Sequence, residues 1–169
     1  WYGEAYLVRF ADDFLIMFQY EREAQRVYEA IIKRMELFGL ELSKEKTRIL
    51  PFGRCSGSRE TFDFLGFTHF NSKTRKGYYS VGHKISRKKK KQFKSNLKKW
   101  VKENRNTQFD EFMKALNKKL TGSFNYYSLS GMIKEVRNLW QHSLYVTFKW
   151  LNRRSIHGWR RFYTSIQHC

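Results

Sequence analysis

Asp12 and Asp13 are the residues of this chain best placed to do chemistry. They are adjacent carboxylates between two runs of strand-forming residues, Tyr6-Leu-Val-Arg-Phe10 and Phe14-Leu-Ile-Met-Phe18. A pair of fixed carboxylates suits a divalent cation, which takes hard oxygen ligands. The plainer alternative is a pair of solvated turn acids, since Asp favours turns. The flanking apolarity weighs against that alternative. A solvated turn acid needs no buried strands to hold it still, whereas a metal site does.

The elements that must position these acids follow from the same stretch. Both runs are short and rich in aromatic and branched residues, which predicts strand rather than helix. Ala11-Asp12-Asp13 interrupts them as a turn, so the stretch is a β-hairpin with two acids at its tip. Both strands are apolar at nearly every position, which predicts burial on both faces. Other candidate ligands are scattered. Cys55 and Cys169 are far apart and lack C-x-x-C spacing, which gives neither a disulfide framework nor a zinc signature. His142, His157 and the His168-Cys169 terminus read as separate surface residues. A reducing compartment, cytoplasmic (bacterial) or organellar and not secreted, fits this cysteine usage.

The 169 residues suffice for one good core or two small ones. Apolar residues make up 41% and aromatics 18%, so the chain is globular rather than disordered. It starts at Trp1, which suggests a fragment or processed product. No apolar run approaches a membrane span and no signal-peptide pattern is present. The net charge is +19, unevenly placed. Residues 1–53 carry 8 Lys/Arg against 9 Asp/Glu; residues 54–169 carry 26 against 6. Such a basic block repels itself unless a polyanion neutralises it. Nucleic acid is the expected partner, bound in a salt-sensitive way. An acidic membrane surface is the competing partner, but no lipidation motif or isolated amphipathic anchor supports it.

Along the chain, residues 20–38 have helical spacing, with Ala24, Val27, Tyr28, Ile31, Met35 and Phe38 on one face and Gly39 as the stop. This helix is expected to pack on the back of the hairpin. Leu40 and Leu42 alternate, Ser43–Lys46 is a polar turn, and Thr47, Ile49 and Leu50 read as a short strand ended by Pro51. Thr61–Phe70 reads as one strand, with Phe62, Phe64 and Phe67 as its buried positions. Asn71–Gly77 is its loop, and Tyr78, Tyr79 and Val81 form the return. Gly66 inside that strand predicts a bulge or a close backbone approach. From Lys84 the character changes: residues 84–102 hold ten Lys/Arg and no acid. Phe93, Leu97, Trp100 and Val101 still keep helical spacing there. A second helix over 108–121 buries Phe109, Phe112, Met113, Leu116 and Leu120. Gly122–Ser128 is an aromatic break. A third helix over 131–152 turns Ile133, Val136, Trp140, Leu144, Phe148 and Leu151 inward, and a basic aromatic tail follows. The fold class is therefore α+β: antiparallel hairpins with a packed helix over 1–83, then a basic three-helix bundle over 84–169.

Several of these stretches resemble reverse transcriptases. Arg9-Phe-Ala-Asp-Asp-Phe14 is similar to the family's signature, which usually has Tyr where this chain has Phe10. Gly39-Leu-Glu-Leu-Ser-Lys-Glu-Lys-Thr47 and Phe62-Asp-Phe-Leu-Gly-Phe67 resemble the next two palm motifs, in order and at matching spacing. Leu116-Asn-Lys-Lys-Leu-Thr-Gly-Ser-Phe-Asn-Tyr-Tyr127 is similar to the thumb, or maturase-specific, region of group II intron-encoded proteins. The resemblance covers nearly the whole chain. It implies a palm carrying antiparallel hairpins, then a basic thumb bundle.

The activity it implies is RNA-directed DNA polymerisation by two-metal nucleotidyl transfer, with Mg²⁺ (or Mn²⁺) at Asp12 and Asp13. Lys46 matches a lysine near the leaving phosphate, or else is a solvated turn lysine. Phe64, Leu65, Gly66 and Phe67 match the primer-gripping hairpin, though core packing explains the two Phe side chains equally well. Lys88, Lys89, Lys90, Lys91, Lys94 and Lys98, with Arg153 and Arg154, would contact phosphates. Tyr126 and Tyr127 would stack on bases or pack between helices. The implied partners are an RNA template, a DNA primer, intron RNA and deoxynucleoside triphosphates. Two features depart from the family. Phe10 lacks the tyrosine hydroxyl, and no residue of this sequence supplies the third palm carboxylate or the fingers. The expectation is that this chain alone does not polymerise. Two other readings stand beside this one: an RNA-binding maturase module that keeps the palm as a scaffold, and a reverse transcriptase unrelated to introns.

Overall fold

The computed structural model describes residues 3–43 and 45–153. Its element order is β1 (Ala5–Phe10), β2 (Asp13–Phe18), α1 (Glu21–Leu37), β3 (Thr61–Phe64), β4 (Phe67–Lys73), β5 (Tyr79–Ile85), α2 (Arg87–Asn104), α3 (Phe109–Tyr127) and α4 (Ile133–Leu151). The class is mixed α+β, with two antiparallel sheets of order β1-β2 and β3-β4-β5. The chain divides into two compact units. One is Trp1–Leu65 with His69–Gly82; the other is Gly66–Thr68 with His83–Cys169. No helix among the described residues is long and apolar enough to cross a membrane.

In the first unit, β1 and β2 pair antiparallel from Ala5 opposite Phe18 to Phe10 opposite Asp13. Helix α1 packs against β2. Glu21 and Glu23 in its first turn complement the helix dipole. It ends in a Schellman motif. The Leu40 N–H donates to the Met35 carbonyl at 2.9 Å and the Gly39 N–H to Glu36 at 3.0 Å. Gly39, at φ +66°, supplies the left-handed residue that the motif requires.

The hairpin is not buried on both faces as its apolarity predicts. All six β1 residues are exposed, with Leu7 at 64%. One helix packed on β2 leaves most of β1 uncovered, and α1 itself buries no residue. Two further expectations fail in this unit. Residues 47–50 form no strand. Arg48 Nη2 donates from this stretch to the Thr61 carbonyl at 2.7 Å. The stretch 61–70 is two strands, because Leu65 and Gly66, at φ +50° and +83°, turn the chain sharply between β3 and β4. Positive φ at both central residues is the type I′ pattern, whose twist matches paired strands. Gly66 is thus a turn residue rather than a bulge. The strand β4 also runs on to Lys73, into the stretch expected to be loop.

The second unit carries the core. Ser86 caps α2 by accepting the Lys89 N–H at 3.3 Å, and Lys-rich sequence propagates helix well. Helices α2 and α3 each pack against α4. Leu97 and Val101 from α2, Phe112, Leu116 and Leu120 from α3, and Val146, Trp150 and Leu151 from α4 form one buried cluster. Each contributes about 1.5–3 kcal/mol by leaving water. Phe67, Ile85, Met132 and Leu139 form a second cluster. The expected break at 122–128 is helix instead, since α3 continues to Tyr127. A helical Gly122 costs about 1 kcal/mol. Packing of Phe124 and Tyr127 against the core clusters offsets it. Helix α4 departs from the expected register in its first half, while Leu151 is buried and Leu144 and Phe148 pack against the first cluster as expected. It buries Leu139, Ser143, Val146, Thr147, Trp150 and Leu151, while Ile133 and Trp140 are exposed at 72% and 43%.

Candidate active-site turn and nucleic-acid surface

The hairpin tip is tighter than a three-residue turn. Phe10 pairs with Asp13, so only Ala11 and Asp12 lie between the strands. Ala11 has φ +49°, which L-residues with a side chain adopt at a cost of about 1–2 kcal/mol. Positive φ at the first central residue alone is the type II′ pattern, where Gly is usual. Arg9 straps this turn, its Nε donating to the Ala11 carbonyl at 3.0 Å. Asp12 therefore sits in the turn and Asp13 opens β2, both exposed. Ala11 and Leu65 are the two described non-glycine residues at positive φ, and each opens a two-residue turn beside a predicted site residue. Strain of this kind tends to gather at functional sites.

These carboxylates provide hard oxygen donors to one small region. No group of three or more His, Cys, Asp or Glu residues that could hold a metal occurs among the described residues. Two carboxylates still fit Mg²⁺, which is commonly bound through one or two carboxylates together with substrate phosphates. Lys46 lies in a separate turn, where its own N–H and that of Thr47 donate to the Ser43 carbonyl at 3.0 and 2.9 Å. Its side chain is exposed.

The turn after β3 brings together the predicted Phe64, Leu65, Gly66 and Phe67. Phe64 is half-buried. Phe67 is buried among Ile85, Met132 and Leu139, which favours the core-packing alternative for that ring. The Gly66 carbonyl accepts the Ser86 N–H at 2.9 Å. A Cβ on Gly66 would lie 3.4 Å from Lys89 Cγ, an ordinary contact, so within the chain it is the φ of +83° that calls for glycine.

On α2, Lys88, Lys89, Lys91, Lys94 and Lys98 are exposed. Lys90 differs: it is half-buried and ion-paired with Glu135 of α4. The first turn of α2 holds no acid to complement the dipole. Positive side chains thus crowd the positive end of a helix, a local instability that an anion would relieve. Tyr127 and Tyr126 have separate fates. Tyr127 packs on the second core cluster, where burial first and the neighbouring Tyr126 second raise its hydroxyl pKa. Tyr126 is exposed and stacks on Phe67 at 5.7 Å. Arg153 lies 4.7 Å from the Trp150 ring centre, and Arg154 lies outside the described residues.

Sequence reasoning passed over Lys102 and Arg105, which sit 6.0 and 5.5 Å from the same Trp150 ring. The dense lysine run earlier in α2 hid them. Lys102 lies in the last turn of α2 and Arg105 follows it, where cations complement the carbonyl end of a helix, so a structural role accounts for them.

No curated protein and no solved structure matched the chain. A family does match part of it. Residues 1–69, which hold the paired-aspartate hairpin, α1 and the β3 turn, match the family described as reverse transcriptase (RNA-dependent DNA polymerase).

Proposed function

We propose that this chain is part of an RNA-directed DNA polymerase of the group II intron type, acting on template–primer and binding intron RNA. The observation that carries the reading is the tight turn presenting Asp12 and Asp13, inside the segment that matches reverse transcriptases. Asp12 and Asp13 would hold Mg²⁺, which when bound supplies Lewis-acid stabilisation to phosphoryl transfer. Arg9 would keep their turn closed through the Ala11 carbonyl. The exposed lysines of α2 would neutralise phosphates of the bound RNA, and the intron type rests on the similarity of Leu116–Tyr127 to maturase sequences.

The test is calorimetric titration with Mn²⁺ or Mg²⁺. Wild-type binding that disappears in Asp12→Asn supports the polymerase site, and binding equal in both proteins sinks it. Primer extension by the chain alone is expected to be absent. The intron type is tested separately: preference for group II intron RNA over an unrelated structured RNA of equal length supports it, and equal affinity counts against it. A maturase module without polymerase chemistry is the second reading, favoured by the well-formed core of the basic unit. It predicts RNA binding of undiminished salt sensitivity in a protein that binds no metal.

A further inference from the structure

The N-terminal half of α4 carries an apolar stripe that the core does not use. Ile133, Val136 and Trp140 recur at helical spacing, yet Ile133 and Trp140 are exposed, and so is Leu129 in the preceding loop. With Phe124 from α3 and Arg137 they line an open groove of ≈ 340 Å³, all within the second unit. A contiguous exposed apolar surface is one of the features that mark interaction sites. Its surroundings say what would occupy it. Residues 83–153 carry 18 Lys/Arg and 4 Asp/Glu, and the only charged residue lining the groove is Arg137. An apolar partner of ordinary charge finds no acid to pair with there, whereas a polyanion with apolar rings is matched in both charge and apolar character.

We propose that the groove formed by Phe124, Leu129, Ile133, Val136, Arg137 and Trp140 binds an unpaired nucleobase of single-stranded RNA. The exposed Trp140 ring is the stacking platform, and the aliphatic side chains exclude water from the base. Arg137, one turn before Trp140 on the same helix face, meets the adjoining phosphate. A base inside a duplex has both faces stacked and its edge paired, so the groove favours the unpaired bases of single strands. This inference rests on the nucleic-acid reading of the basic unit, and its test separates the two.

The experiment is fluorescence anisotropy with an end-labelled single-stranded RNA and a blunt RNA duplex of equal phosphate count, using the full chain. Trp140→Ala is expected to weaken single-strand binding by about five- to a hundredfold, the usual range for one base–aromatic stack. Duplex binding should stay within twofold. Trp140→Phe should restore most of the loss, and Arg137→Gln should reduce the salt slope by about one. Matching circular dichroism and melting curves show that Trp140→Ala folds. Three results overturn the proposal. One is single-strand affinity unchanged in Trp140→Ala. Another is an equal loss for single strand and duplex. The last is a wild-type chain that self-associates and becomes monomeric on Trp140→Ala, which assigns the groove to a second copy. Failure of wild type to bind either RNA would instead remove the nucleic-acid reading on which the groove depends, and the proposal with it.

Discussion

Among the described residues, every buried side chain lies in the unit that contains α2, α3 and α4, whereas the unit that holds Asp12 and Asp13 has none. The contrast is not one of apolar content. β1 and β2 are almost wholly apolar, while α2 holds nine Lys/Arg in 18 residues. What differs is the number of layers. A two-stranded ribbon with one helix has too little to lay over its faces, and an isolated ribbon of this kind is marginal in water. Helices α2 and α3 packed on α4 enclose a common interior, and every lysine of α2 but Lys90 is exposed. Burial therefore follows from how many elements converge, and charge is tolerated wherever the opposite face of the helix is covered.

The largest test of this contrast is a pair of substitutions. Phe112, 1% exposed, should cost about 3–5 kcal/mol on change to alanine, measured by chemical denaturation of the helical unit. Leu7→Ala should cost less than about 0.5 kcal/mol, as is usual for a surface position. Comparable losses at both positions would show that β1 is covered after all and would break the comparison. A smaller effect sharpens it from inside the core. Thr147 is fully buried and its hydroxyl has no hydrogen-bond partner. Thr147→Val keeps the shape and removes the unsatisfied group, so the helical unit should gain about 1 kcal/mol.

In the first unit, Ala11→Gly relieves a left-handed alanine at about 1–2 kcal/mol and adds about 0.5–1 kcal/mol of chain entropy. A net gain of about 0.5 kcal/mol is expected, read as slower amide exchange across β1 and β2. Faster exchange there would mean that the turn is not strained. The smallest effect is set by pH. Burial first, and Lys94 second, lower the pKa of His142 from 6.5. The fold prefers the neutral ring, so its contribution is complete above pH 6.5 and is lost as pH falls below that value through the lowered pKa. Melting temperatures of wild type should drop slightly more than those of His142→Gln on acidification below pH 6.5. Parallel curves would show that the ring titrates as if free.

Much of the fold was legible because local rules decide it. The hairpin, α1 with its Gly39 stop and the helices that start near 87, 109 and 133 follow from period, caps and turn residues that act over a few positions. The turn at Asp12 was legible for the same reason, although Asp13 belongs to β2 rather than to the turn. The failures share a cause. The split at Leu65–Gly66 was hidden because a leucine rarely takes positive φ, so only its neighbour signalled a turn. The passage of α3 through Gly122–Tyr127 was hidden because the packing of Phe124 and Tyr127 outweighs a weak local preference. In α4 two apolar stripes compete, and periodicity alone does not say which one meets α2 and α3.

By itself, then, the sequence determined the adjacent carboxylates, the strand–turn–strand that presents them, the basic second half and the positions of its helices. These depend on residue type and near-neighbour spacing, which the chain carries wherever it goes. The tertiary structure alone decided that β1 stands exposed, that Lys90 is tied to Glu135 while its neighbours are exposed, and that Trp140 faces outward on α4. Each of those is settled by which surfaces remain after helices and strands have packed, and that is a property of the whole assembly of elements rather than of any one segment.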